Sequence, residues 1–347
     1  MRFAEKIARA KELFEGIYSD FECFKSPLQA YRTRAEFGFY KDERGLHYAM
    51  FDASSKRKFI VENFKLAVLP IQNAMKSLLA ELNKRPTLAH KLFGAEFLAT
   101  KRDLSATLLY HSDINALKNE LEALSSALNL NLIARSRGKK LVFGGENLRQ
   151  SLEIAGREWV YELNNECFVQ PNTAINETMI KWAFERLAPH AKRDLCELYC
   201  GYGNFTLPLS TLFRRVLATE LSKTSIKFAL KNASLNGVQN VNFARLSSAE
   251  LVQALRGVRE FRRLQGVDLQ GFDFSHIFID PPRAGLEASV REFVAKFPYI
   301  IYISCNPATL KRDLEQLLKT HKILNFALFD QFASTPHLEC GVILGEI

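Results

Sequence analysis

Tyr299-Ile300-Ile301-Tyr302-Ile303-Ser304-Cys305-Asn306-Pro307 closes one element and opens another. Its first five residues are apolar and rich in isoleucine, which reads as a short buried strand. Pro307 stops that strand, and a helix pattern begins at Ala308-Thr309-Leu310. Cys305 is therefore expected just beyond the carboxyl end of a strand, where open α/β sheets bind their ligands. A helix N-terminus close by favours a thiolate. A lone cysteine is more often an inert packing group, so the remainder of the chain has to decide between the two readings.

Outward from this stretch the pattern is strict β-α alternation. Strand signals fall at 195–199, 216–219, 241–244, 277–279, 299–303, 323–329 and 340–344, with helical patterns between the first six. Such alternation predicts a parallel sheet with right-handed crossovers. The stretch joining the last two strands contains Pro336 and His337 and has no room for a helix, so these two should pair antiparallel. A helix opening at Phe168-Val169-Gln170-Pro171-Asn172 and running to about 187 precedes the series. Residues 1–165 mix short strands and helices and read as a separate α+β domain. A helix over 3–17 has Phe3, Ile7, Ala10, Phe14 and Ile17 on one face and Arg2, Lys6, Arg9 and Lys11 on the other, a basic face open to solvent or to RNA. Two strands, 31–40 and 46–51, join through Asp42-Glu43-Arg44-Gly45. Further helices are expected at 66–82 and 114–128, and further strands at 104–110, 130–133 and 141–143.

The chain of 347 residues has room for two domains. Lys and Arg number 47 against 38 Asp and Glu, a net charge of +9 that favours a polyanionic partner such as nucleic acid. No signal peptide and no membrane-length apolar run are legible, so the chain reads as cytoplasmic. The six cysteines contain no CxxC pair and the seven histidines form no metal-binding group. Neither a metal nor a disulfide framework is expected, and no obligate protein partner is evident.

Four places carry chemistry. In Glu197-Leu198-Tyr199-Cys200-Gly201-Tyr202-Gly203-Asn204-Phe205 the two glycines allow a sharp turn and a close approach to a ligand, although the third glycine of a dinucleotide fingerprint is missing. Glu220 ends the second strand of the series, where a carboxylate takes the ribose hydroxyls of an adenosine. In Ile279-Asp280-Pro281-Pro282-Arg283 the prolines hold Asp280 in place, and Arg283 can reach a carbonyl or a phosphate. Glu339 precedes the last strand and so lies at a sheet end; if that strand runs antiparallel, its start meets the carboxyl ends of its parallel neighbours near Cys305. Arg32 and Arg34, set among aromatics, are candidates for RNA contact or for pairing with Glu36.

The seven strands with a closing hairpin resemble the S-adenosylmethionine-dependent methyltransferases. Arg32-Thr33-Arg34-Ala35-Glu36-Phe37, His90-Lys91-Leu92-Phe93, Leu108-Leu109-Tyr110-His111, Gln170-Pro171-Asn172, the 257–268 segment and Phe329-Asp330-Gln331-Phe332 extend the likeness over essentially the whole chain. Together they resemble the tRNA (uracil-5-)-methyltransferase family. Tyr202 departs from the pattern, where Asn is frequent.

That resemblance implies an N-terminal tRNA-recognition domain, residues 1–165, and a Rossmann-like catalytic domain, residues 166–347. It implies S-adenosylmethionine contacts at Gln170, Tyr199, Asn204, Glu220 and Asp280, with Cys305 as nucleophile and Glu339 as proton acceptor. The substrate it implies is uridine 54 in the T arm of tRNA. The rRNA-modifying relatives usually carry four iron–sulfur cysteines and often an extra RNA-binding barrel; here Cys23 is alone in the first 160 residues, so no cluster is expected. A 23S rRNA 5-methyluridine enzyme is the nearest rival. A cytosine-5 methyltransferase and a non-catalytic RNA-binding protein are further ones. Arg256, Arg259, Arg262 and Arg263 suggest an RNA-contacting loop, and the covalent chemistry expected of Cys305 requires its pKa to be lowered.

Overall fold

Apolar runs bounded by glycine turns build two large sheets and a small two-stranded one, and the chain falls in two compact units. The structure, a computed structural model, describes residues 1–52, 55–191 and 193–347. One unit comprises Met1–Ser26, Leu152–Tyr161 and Glu166–Ile347; the other comprises Pro27–Ser151 and Glu162–Asn165. This division differs from a single cut after residue 165. The N-terminal 26 residues and most of a two-stranded sheet, Leu148–Ile154 with Arg157–Leu163, group with the C-terminal residues.

The first unit is built on an eight-stranded sheet. Its order is Glu22–Phe24, His321–Phe329, Glu339–Glu346, Tyr299–Ser304, Phe274–Ile279, Asp194–Leu198, Arg215–Thr219 and Val241–Ala244. Every neighbouring pair is parallel except those made by Glu339–Glu346, which runs antiparallel to both Tyr299–Ser304 and His321–Phe329. The seven strands legible in the sequence are all here, with the last two antiparallel. The eighth, Glu22–Phe24, is added by the N-terminal segment. Five of the six residues of Tyr299–Ser304 are buried. Burial of an isoleucine of this kind contributes about 1.5–3 kcal/mol.

The N-terminal helix, Phe3–Leu13, lays Phe3, Ile7, Ala10 and Leu13 on the same core as Leu310 and Leu314. Phe14 meets Phe326 edge-on at 4.9 Å between ring centroids. One residue of its polar face departs from expectation: Lys6 is buried. Positions 6 and 10 lie one turn apart, so Lys6 sits on the border of the apolar stripe.

The second unit has a seven-stranded sheet, ordered Arg57–Ile60, Gly45–Asp52, Arg34–Asp42, Leu92–Ala99, Leu104–Tyr110, Asn131–Ser136 and Lys139–Phe143. All pairs are antiparallel except Leu104–Tyr110 with Asn131–Ser136. Helices Leu69–Asn83 and Lys118–Leu128 contribute Ile71, Met75, Leu78, Leu121 and Leu124 to its core. Leu92–Ala99 is central to this sheet, yet its sequence lacks the two-residue alternation that betrays a strand. Six of its eight residues are buried, so both faces are apolar and the period disappears. Among the described residues no helix is long and apolar enough to cross a membrane.

Candidate active site

Strand Asp194–Leu198 runs out into a tight turn in which Tyr199, Gly201 and Gly203 have φ of 63°, 56° and 90°. A methyl group added at Gly201 would meet nothing within 4 Å, so the turn leaves open space beside it. Tyr199 is the strained position, since a non-glycine residue there costs roughly 1–3 kcal/mol. Its hydroxyl donates to Ser248 Oγ at 3.0 Å. The amide of Cys200 donates to the carbonyl of Thr219 at 3.0 Å, tying the turn to the next strand. Glu220 follows that strand. Its carboxylate accepts from the amides of Gly201 at 3.2 Å and Ser222 at 2.7 Å. Two backbone donors fix the group at the rim and leave lone pairs for a diol.

Strand Phe274–Ile279 leads into Asp280-Pro281-Pro282-Arg283. The carbonyl of Arg283 accepts from Asn306 Nδ2 at 3.0 Å and Thr309 Oγ1 at 3.2 Å. Asn306 also caps helix Pro307–Leu317, its Oδ1 accepting from the Ala308 amide at 3.2 Å. One side chain thus ties the Asp280 loop to the turn that carries Cys305. On the other flank, Ser304 pairs with Cys340 across the antiparallel strands. Continuing that register by one residue sets Cys305 opposite Glu339.

All of this converges on one cavity of about 680 Å³. Gln170, Tyr199, Glu220, Asp280, Arg283, Cys305 and Glu339 line it. Gln170 is held from behind, its Oε1 accepting from Gln331 Nε2 at 2.6 Å. Asn204 lines an adjoining narrower space of about 40 Å³ that shares Phe168, Gln170, Tyr199, Gly201 and Asp280 with the main cavity. Its amide is engaged twice with Asn176, at 2.8 and 2.9 Å, so it braces the turn. Phe168, Ser247 and Ser248 also line the main cavity and escaped the sequence reading. Ser247-Ser248-Ala249-Glu250 has the capping-box spacing, and Ser247 does cap helix Ser248–Leu255, so that signal was present. Phe168 is 70% exposed although it lies in the cavity wall.

The electrostatics are dominated by carboxylates. Among the described residues, Glu166, Glu220, Asp280 and Glu339 line the cavity together with one cation, Arg283. Burial pushes Glu339 up to about 8, with Asp280 adding to the shift and Arg283 opposing it. Withdrawal from water pushes Asp280 up to about 7. The Cys305 thiol is pushed up to about 11, by burial first and then by the negative charge of Glu339 and Asp280, with Arg283 opposing. A lowered thiol pKa was the expectation, and burial together with the neighbouring carboxylates does the reverse. A cation entering it would act in the expected direction. An S-adenosylmethionine molecule, whose sulfonium and amine are both positive, suits this charge pattern, and the open face of Gly201 suits close approach.

The remaining candidates lie elsewhere. Arg32 and Arg34 belong to the second unit, where Arg32 Nε donates to the Arg34 carbonyl at 2.8 Å. Arg34 Nε meets Glu36 at 3.0 Å along its own strand. In the 257–268 segment Arg263 turns back onto the carbonyl of Arg245 and onto Glu250, both at 2.6 Å, and Phe261 and Leu264 are buried. That segment is anchored to the core, with Arg259 and Arg262 exposed on it and Arg256 exposed just before it. Among the described residues no group of three His, Cys, Asp or Glu is arranged to hold a metal ion.

A family model described as tRNA (uracil-5-)-methyltransferase matches residues 1–347. A tRNA/tmRNA (uracil-C(5))-methyltransferase of Campylobacter lari is 58% identical over 346 residues, covering 99% of each chain. Proteins of the same description from Campylobacter jejuni and Ectopseudomonas mendocina are 54% and 46% identical, each over 99% of this chain and 96% of theirs. Among solved structures, the Pyrococcus abyssi tRNA (uracil-54, C5)-methyltransferase in complex with S-adenosyl-L-homocysteine has a TM-score of 0.74. It is 19% identical, with 99% of this chain and 84% of that one covered, a likeness of fold. The chain belongs to the tRNA (uracil-5-)-methyltransferase family, whose members are S-adenosylmethionine-dependent enzymes acting on C5 of a tRNA uracil.

Proposed function

We propose that this chain methylates C5 of uridine 54 in the T loop of tRNA through a transient bond between Cys305 and C6 of the uracil. The observation that carries this reading is the shared cavity of Cys305 and Glu339, with Asp280, Arg283 and the Glu220 rim around them.

Uracil C5 is a weak nucleophile, and covalent addition at C6 activates it. S-adenosylmethionine supplies an electrophilic methyl group on a cationic sulfonium. Glu220 takes the ribose hydroxyls, while Gln170, Tyr199, Asn204 and Asp280 shape the remainder of that pocket. Cys305, as thiolate, adds to C6, and the displaced electron pair moves onto O4. Arg283 steadies that charge. Asn306 is a weaker candidate for this task, because both ends of its amide are already engaged. C5 would then take the methyl group, the broken S–CH3 bond leaving its electron pair on a neutral thioether. Glu339 removes the C5 proton, and the freed electron pair expels Cys305. Once ionised, a glutamate whose pKa is about 8 is a stronger base than an ordinary one, and Arg283 favours that ionised form.

The target uridine has to leave its stack, at a cost of a few kcal/mol. Phe168, exposed in the cavity wall, offers a ring face for the flipped base. Arg32 and Arg34 are proposed to grip the T arm from the second unit.

The test is to map the labelled methyl group on unmodified tRNA and to repeat the reaction with two variants. Cys305→Ala is expected to abolish transfer while leaving cofactor binding intact. Glu339→Gln is expected to form a denaturation-resistant protein–RNA adduct that releases slowly. Turnover by Cys305→Ala, or a label outside position 54, would reject the reading.

A further inference from the structure

Residues 330–338 join the last two strands and deliver Glu339 to the cavity, and they are held by a side chain from the far end of the chain. Lys6, on helix Phe3–Leu13, donates to Asp330 Oδ1 at 2.6 Å, to the carbonyl of Phe332 at 2.8 Å and to the carbonyl of His337 at 2.8 Å. An ammonium has three donors, so all are satisfied. Their acceptors fall at the start, in the middle and near the end of one loop. The side chains of Lys6 and Asp330 are 1% and 2% exposed.

A buried ion pair is seldom the most stable way to fill such a space. An apolar pair of similar volume is commonly as stable or more so. What the charged pair secures here is the path of the loop. Two consequences of that path reach the cavity. His337, whose carbonyl Lys6 holds, has Nδ1 3.1 Å from Arg283 Nη2. Two residues later Glu339 enters the cavity wall, and both Glu339 and Arg283 act on the Cys305 thiol.

We propose that Lys6 is a positioning residue: it sets the course of residues 330–338 and thereby aims the Glu339 carboxylate and, through His337, the Arg283 guanidinium at the reacting ring. This rests on the reading of Glu339 as the base. The chemistry at risk is the last step, in which the C5 proton leaves and the Cys305–C6 bond breaks. A carboxylate displaced by an ångström or so is expected to slow proton removal ~10–100-fold.

The informative variant is Lys6→Met/Asp330→Leu, which removes both charges and leaves neither buried alone. The single variant Lys6→Met would strand the Asp330 carboxylate and risks unfolding. The double variant, mixed with unmodified tRNA and S-adenosylmethionine, is expected to bind the cofactor as the parent does. Its kcat should fall ~10–100-fold with little change in KM for tRNA. The covalent protein–RNA adduct should build up as it does in Glu339→Gln. Amide hydrogen exchange across 331–338 should quicken, while that of strand Arg215–Thr219 stays the same.

Parental kcat would overturn the proposal, and so would a fall in kcat with no adduct. If Glu339→Gln itself builds no adduct, the base assignment is what has failed. The clamp is then decided by exchange alone: faster exchange across 331–338 sustains it, and unchanged exchange refutes it.

Discussion

At Cys305 the thiol shares its cavity with Asp280 and Glu339, and burial together with their charge holds its pKa at about 11. Alkylation of Cys305 in the ligand-free protein should therefore be slow at neutral pH and climb toward pH 11. Saturating S-adenosylmethionine should shift that profile to lower pH than saturating S-adenosylhomocysteine, because only the former carries a sulfonium charge. Coincident profiles in a pH series of mass-spectrometric labelling would count against the electrostatic account. Glu339 supplies a second test. It titrates near 4.5 in the unfolded chain and at about 8 when folded. Below 4.5 it is protonated in both states and its burial is without penalty. Above 4.5 the unfolded chain releases the proton first, so stability falls with rising pH until about 8. Glu339→Gln should be stabilised over the parent at pH 8 more than at pH 4, by on the order of a few kcal/mol. Urea unfolding at both pH values measures this, and an equal difference at the two would exclude it.

Among elements, the loop after Asp280 shows how the site is held. Asp313, fully buried on helix Pro307–Leu317, accepts from the Leu286 amide at 2.9 Å, from Tyr302 Oη at 2.7 Å and from Arg291 Nη1 at 3.1 Å. It joins the loop, the helix after Cys305 and the strand before it. Gly285 has φ of 73° and no room: a Cβ there would stand 2.7 Å from Asp313 Oδ2 and 2.7 Å from Arg312 Nη2. Gly285→Ala should destabilise the protein by ~1–3 kcal/mol and lower kcat/KM, since Arg283 moves with the loop. Calorimetry with steady-state kinetics checks both effects, and a parental melting temperature would contradict the steric argument. The N-terminal helix makes a related point. Its apolar face was plain in the sequence, but its partner, Phe326, lies more than three hundred residues away.

For the whole molecule, a net charge of +9 implies an RNA affinity set largely by phosphate contacts. Affinity for a T-arm hairpin should fall with salt, with a log–log slope of roughly −2 or steeper if three or more phosphates are neutralised. Arg32→Ala and Arg34→Ala should each weaken binding without altering cofactor affinity. Fluorescence anisotropy at several salt concentrations provides the reading; a slope near zero, or no loss in either variant, would move the RNA grip elsewhere.

The sequence alone was enough for the β-α alternation, the antiparallel last strand and the four motif-bearing turns, because each depends on local periodicity or on glycine and proline at strand ends. Cys305, Glu220, Asp280 and Glu339 could be named for that reason. The folded chain alone decided the eighth strand Glu22–Phe24, the burial of Lys6 against Asp330 and the pairing of Asn204 with Asn176. It also decided the direction in which the Cys305 thiol is shifted. Each of these depends on groups far apart in the chain. Charge in a buried space is governed by what surrounds it in three dimensions, and periodicity along a chain carries no record of that.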